Sequence, residues 1–109
     1  MTLILHMTTQ DDWDRARNDG HDAIDSLDSE GFIHFSLPEQ VHRVANALYT
    51  GRTDLILLHV DQNLIGPEVR YEGDPQVFPH VYGPLNLDAV LRVTEYRPGP
   101  DGNFEPPEV

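Results

Sequence analysis

Four histidines fall in apolar, strand-like settings: His6, His34, His59 and His80. A histidine buried in a strand must lose solvation or find a partner. Its ordinary pKa near 6.5 also lets a suitably partnered ring move protons near neutrality. Two of the four have surroundings that point to chemistry. His34 shares a strand face with Ser36, which stands directly ahead of an expected helix N-terminus. Free amides and the helix dipole favour an anionic group there. His80 alternates with Phe78 and Tyr82 in the run Phe78-Pro79-His80-Val81-Tyr82-Gly83-Pro84, where proline and glycine on both sides restrict the backbone. A rigid segment that carries His and Tyr between aromatics is costly to build for packing alone. We therefore expect His34 and His80 to be the working residues, with His80 acting as general acid or base. For His59, and for His6 on its own, the simpler expectation is a histidine satisfied within the core or at a strand edge. His21 and His42 read as surface residues.

Other sources of chemistry are missing. The chain has no glycine-rich phosphate loop, no His-Glu-x-x-His helix and no Gly-x-Ser-x-Gly elbow. Zero cysteines leave no thiolate nucleophile, disulfide framework or Cys-ligated zinc site. One alternative use of the histidines is an open three-ligand metal site made by His6, His34 and His80, with Glu72 nearby. The primary expectation includes no metal.

The elements that must position these residues can be read from punctuation and periodicity. Residues 3–7 form an opening strand. Thr9 caps a helix over residues 10–18, Asp11 and Asp12 suit its first turn, and Gly20 stops it. Trp13 anchors that helix to the core. Residues 21–30 are polar and read as a loop or broken turn. Residues 31–36 form a strand with Phe32, His34 and Ser36 on one face and Ile33 and Phe35 on the other. Ser36 and Glu39 have capping-box spacing, Pro38 falls in the first turn, and Gly51 follows the end of a second helix. Val41, Val44, Ala45 and Leu48 give that helix its apolar stripe. Residues 54–61 are nearly continuous apolar sequence, as expected for a central strand covered on both faces. Residues 68–72 form a strand with Val69 and Tyr71 facing opposite to Arg70 and Glu72. Asn86 caps a short turn before a closing strand at residues 90–97. Connections after residue 54 are too short for the crossovers that parallel pairing needs. The expected architecture is α+β, with a mixed, mostly antiparallel split sheet of about five to six strands and two principal helices. One domain spans residues 1–97. Residues 98–109, with four prolines and two glycines, read as a tail.

Charge narrows the partners. There are 19 acidic residues against 7 basic ones, and a net charge of −12 opposes binding to DNA and to anionic membrane surfaces. No signal peptide or spanning segment is visible, so cytoplasmic residence is expected. Many of the acidic residues lie in positions 11–30, which read as a solvated face. They do not match the register of an EF-hand loop. A non-catalytic binding module that meets a basic partner through this run is a further alternative.

The segments Gly31-Phe32-Ile33-His34-Phe35-Ser36 with Gln40, then residues 55–60, Val69-Arg70-Tyr71-Glu72 and Phe78-Pro79-His80-Val81-Tyr82-Gly83-Pro84-Leu85 closely resemble the DUF952 family, whose function is unknown. The resemblance covers about residues 3–96, with Phe35 standing where members often have Cys. It implies an ADP-ribosyltransferase-like fold and a cleft for NAD or a related nucleotide or ribose phosphate. His6 then resembles the residue that contacts the nicotinamide ribose, and His34 stands where poly-ADP-ribosylating enzymes carry a tyrosine. The third motif's catalytic glutamate has no counterpart near residues 78–85, which argues against protein ADP-ribosylation. It leaves RNA 2′-phosphotransferase-like chemistry, another NAD-related transfer, or binding alone. On this reading His34 and His80 are catalytic, and His6, Ser36, Arg70 and Tyr82 bind the ligand. Arg70 meets a phosphate, Tyr82 stacks, and Glu72 and Gln40 stand behind them.

Overall fold

The computed structural model describes residues 2–19, 21–22 and 31–108. In chain order it contains β1 (Leu3–Thr9), α1 (Gln10–Asp19), β2 (His21–Asp22), β3 (Ile33–His34), α2 (Val41–Leu48), β4 (Leu55–Asp61), β5 (Glu68–Glu72), β6 (Phe78–Tyr82), β7 (Leu85–Asn86) and β8 (Val90–Glu95), with single 3-10 turns at Gln62–Leu64 and Leu87–Ala89. This is an α+β fold in which every strand pairing among the described residues is antiparallel. The strands form two three-stranded sheets, β1-β4-β8 and β3-β6-β5, and a small β2-β7 ribbon. The expected five to six strands become eight because β2 and β7 are two-residue pairings, too short to leave a period-2 pattern in the sequence. The remainder of the acidic run, residues 23–30, lies outside the described residues.

β4 is the central strand of its sheet, and six of its seven residues are buried. Its alternate side chains feed two cores. Ile56, Leu58 and Val60 pack with Ile4, Trp13, Ala16, Ile33, Phe35 and Val81. Leu55 and Leu57 pack with Leu5, Val41, Ala45, Tyr96 and Phe104. Helix α1 therefore closes the first core through Trp13, as expected, and α2 closes the second. Fully burying a Leu or Ile side chain contributes about 1.5–3 kcal/mol, so these two layers supply most of the cohesion. The α1 cap forms as read: the Asp12 amide donates to Thr9 Oγ1 at 3.2 Å. No helix among the described residues is long and apolar enough to cross a membrane.

Three local readings are corrected. The Ser36/Glu39 capping box does not form, because α2 begins five residues after Ser36. The Ser36 main chain is instead engaged with Leu5, each amide donating to the other's carbonyl at 2.8 Å. Gln40 does the local work: its Oε1 accepts from the Leu37 amide at 3.0 Å and its Nε2 donates to the Val77 carbonyl at 2.8 Å. Leu48, assigned to the apolar stripe of α2, is 68 % exposed, while Val41 and Ala45 are fully buried. Finally, the Pro/Gly-rich C-terminal segment carries a core residue. Phe104 is 2 % exposed, packs with its ring tilted 37° to that of Tyr96 at 4.9 Å, and is held at both its amide and its carbonyl by the Asn46 side chain.

The Leu5–Ser36 bridge matters for everything below. It is a main-chain link between the two three-stranded sheets, and it brings β1 against the end of β3.

Candidate functional site

The β3-β6-β5 sheet has two unlike faces. Ile33 and Val81 point to the core and are fully buried, as is Pro79 on the same side of β6. Strand alternation then turns His34, His80 and Tyr82, with Glu68, Arg70 and Glu72, to the other face. Register aligns them across the sheet: His34 opposes His80, His80 opposes Arg70, and Tyr82 opposes Glu68. The alternation read for residues 68–72 holds, as does that for residues 32–35. The strand itself is only Ile33–His34, and Ser36, expected on the His34 face, is buried where the chain turns to bridge Leu5.

On this outward face the rings form one cluster. Phe32 stacks on His80 with centroids 4.1 Å apart and planes 19° apart, and meets His34 edge-on at 4.8 Å. Tyr82 lies 5.3 Å from Phe32, and His34 and His80 are 5.4 Å apart and nearly perpendicular. Aromatic pairs favour such offset and edge-on arrangements. His34 is exposed, whereas the His80 side chain retains only 14 % of its accessibility.

Polar contacts fix the roles within the cluster. His80 Nδ1 donates to Glu72 Oε1 at 3.0 Å, and the Tyr82 hydroxyl donates to the same carboxylate oxygen. A carboxylate can only accept, so Nδ1 carries the proton and the lone pair of the neutral ring lies on Nε2. The Tyr82 hydroxyl, followed by His80, holds the Glu72 carboxyl below its usual range. The same bond to Glu72 pushes the Tyr82 phenol up. Arg70 lies over the Tyr82 ring, its guanidinium carbon 4.5 Å from the centroid. It also pairs with Glu68: Nη2 donates to Oε2 at 3.1 Å, and Nε lies 3.0 Å from Oε1.

His6 reaches the group from β1. It is 4 % exposed, its ring is 5.2 Å from Phe35, and its Nδ1 donates to the His34 carbonyl at 2.7 Å. That geometry anchors the His34 backbone from behind and leaves His6 away from the outward face. Ser36 is likewise buried, at the joint between the sheets. Gln40 ties α2 to the chain just ahead of β6. The structure thus brings His34, His80, Tyr82, Arg70 and Glu72 together on one face and sets His6, Ser36 and Gln40 in its support. Phe32 is the residue missed in the sequence. Its position two residues before His34 on the same strand face was the available signal. His59, by contrast, is 2 % exposed and bonded through Nε2 to Thr94 Oγ1 at 2.8 Å, which accords with its core reading.

Among the described residues no three His, Cys, Asp or Glu side chains gather into a set able to hold a metal ion. The His6–His34–His80 metal triad is therefore not formed. His6 spends Nδ1 on a main-chain carbonyl, and His80 spends Nδ1 on Glu72. A cavity of about 410 Å³ lies elsewhere, between β8 and the C-terminal segment, against Leu57, Arg92, Thr94 and Tyr96. It contains none of the residues singled out for chemistry.

Fold and site together define a small α+β domain with a histidine–carboxylate pair on the open face of an antiparallel sheet. The chain belongs to the family described as protein of unknown function (DUF952), which matches residues 7–93. It is similar to the X-ray crystal structure of protein CC0527 from Caulobacter crescentus, with 30% identity, a TM-score of 0.86, and 95% of this chain and 94% of that chain covered. The solution NMR structure of the same protein gives a TM-score of 0.82 at 30% identity, covering 96% and 93%. No curated protein matches this sequence.

Proposed function

We propose that the outward face of β3-β6-β5 binds NAD or a related nucleotide or ribose phosphate, and that His80 acts on it as a general base. The observation that carries this reading is the Glu72–His80 pair, 3.0 Å apart, with His34 beside it. Donation of the Nδ1 proton to Glu72 leaves Nε2 as the basic atom. The carboxylate also stabilises the imidazolium that forms when Nε2 takes a proton from a hydroxyl. Phe32, His34 and Tyr82 supply ring surface for a base or nicotinamide, and carboxylates with imidazoles suit ribose hydroxyls. Arg70 is the one cation that the β5 strand offers to a phosphate.

The reaction class that fits is transfer to or from a ribosyl or ribose-phosphate group. Protein ADP-ribosylation is not the form we favour, because residues 78–85 hold no glutamate and Glu72 is engaged in orienting His80 and Tyr82. An ADP-ribosyltransferase-like arrangement of the two sheets, meeting at Leu5 and Ser36, goes with the same reading.

Isothermal titration with NAD and ADP-ribose is the test, read together with the His34 and His80 imidazole NMR signals. Binding with displacement of both sets of signals is expected. No heat at millimolar ligand, with both rings unperturbed, would sink the proposal.

A further inference from the structure

The three charged residues of β5 divide into two separate couples. Glu68, Arg70 and Glu72 alternate along one face of the strand. Glu72 is taken up by Tyr82 and His80. Glu68 takes up Arg70: its carboxylate accepts from Nη2 at 3.1 Å and its other oxygen lies 3.0 Å from Nε. The Nε and Nη2 edge that faces Glu68 is the edge with which arginine also grips a phosphate. Arg70 is meanwhile seated on the Tyr82 ring, 4.5 Å from its centroid, and Tyr82 is bonded to Glu72 and lies 5.3 Å from Phe32. The guanidinium is thus already aimed at the ring cluster, and the group that faces that edge is one of the chain's own carboxylates.

We infer that Glu68 is an internal competitor for the phosphate seat of this site, occupying Arg70 until a ligand's phosphate displaces it. The inference rests on the nucleotide reading above and adds a specificity residue to it. Both carboxylates of β5 oppose an incoming anion by charge, but only Glu68 also blocks its hydrogen-bonding partner. Displacement is cheap, because Arg70 and Glu68 are 51 % and 60 % exposed and an ion pair of that kind contributes little. The competition therefore tunes affinity without closing the site. Ligands that offer a phosphate to Arg70 pay the displacement, and ligands without one bind independently of Glu68.

The experiment compares wild type, Glu68→Gln and Arg70→Ala in titrations with ADP-ribose and with adenosine, which shares the base and ribose but has no phosphate. Glu68→Gln should bind ADP-ribose about threefold to tenfold more tightly than wild type, with adenosine unchanged. Arg70→Ala should weaken ADP-ribose alone, and in the Arg70→Ala background the gain from Glu68→Gln should shrink to the residual charge effect. If wild type binds ADP-ribose and Glu68→Gln brings no gain, or an equal gain for adenosine, the competitor role is overturned and the nucleotide reading stands. If none of the proteins binds either compound, both fail together. Both substitutions are at exposed positions, and matching thermal melts establish that the variants are folded.

Discussion

His59 and His80 occupy matching places. Each sits on the middle strand of a three-stranded antiparallel sheet, and each has a side-chain partner on a neighbouring strand. They differ in what covers them. β4 has a core on both faces, so His59 is enclosed, and its partner is the uncharged Thr94 hydroxyl. Burial, with a smaller push from Arg92, lowers its pKa and keeps the ring neutral. β6 has a core on one face only, so His80 turns outward to a carboxylate within an aromatic group. The same residue type on the same kind of strand is packing in one sheet and a candidate for proton transfer in the other. Coverage of the second face decides which.

The comparison breaks most sharply in stability. Leu58 is fully buried beside His59 on β4, and Leu58→Ala should destabilise the fold by about 2–5 kcal/mol in urea unfolding. His34→Ala, on the exposed face of the other sheet, should cost less than about 1 kcal/mol. Equal costs would mean that the outward face of β3-β6-β5 is itself packed as a core.

A smaller effect separates the histidines by pH. The folded-state pKa of His59 lies below its ordinary value of 6.5. Below pH 6.5 the unfolded chain therefore takes up a proton that the folded ring refuses. The stability that goes with a neutral His59 is complete above that pH, and it is lost as pH falls through the folded-state pKa. Urea midpoints at pH 7.5 and pH 5 should fall further apart in wild type than in His59→Leu. The same separation in both would show that His59 is not the group responsible.

The smallest effect on stability sharpens the other half. Glu72→Gln should shift the urea midpoint less than either change above. It should nevertheless bring the Tyr82 phenol back down, because the bond to Glu72 is the main cause of its raised pKa. It should also change the His80 Nδ1 signal while leaving that of His59 in place. An unchanged Tyr82 titration would remove Glu72 from its assigned position.

Much of this was legible locally. Period-2 alternation placed Arg70 with Glu72 and His34 with Phe32 on single faces, and the unbroken apolar run at residues 55–60 announced a strand covered on both sides. Ser36 shows where local reading stops. Its spacing to Glu39 satisfies a capping rule, yet Leu5, 31 positions earlier, takes its main chain into a bridge. Phe104 was hidden by its neighbours, since a proline- and glycine-rich composition says nothing about one side chain that finds a hole beside Tyr96 and Asn46.

The sequence by itself determined the element types, the two-faced pattern of β5 and β6, and the short list of residues able to do chemistry, because these follow from backbone periodicity and side-chain type. Only the tertiary structure decided that His34, His80 and Arg70 fall in one row across three strands, that His6 supports the row from behind, and that Glu72 holds His80. Strand register and sheet-to-sheet contact are set by long-range pairing, and a single residue's shift in register would have turned His80 into the core.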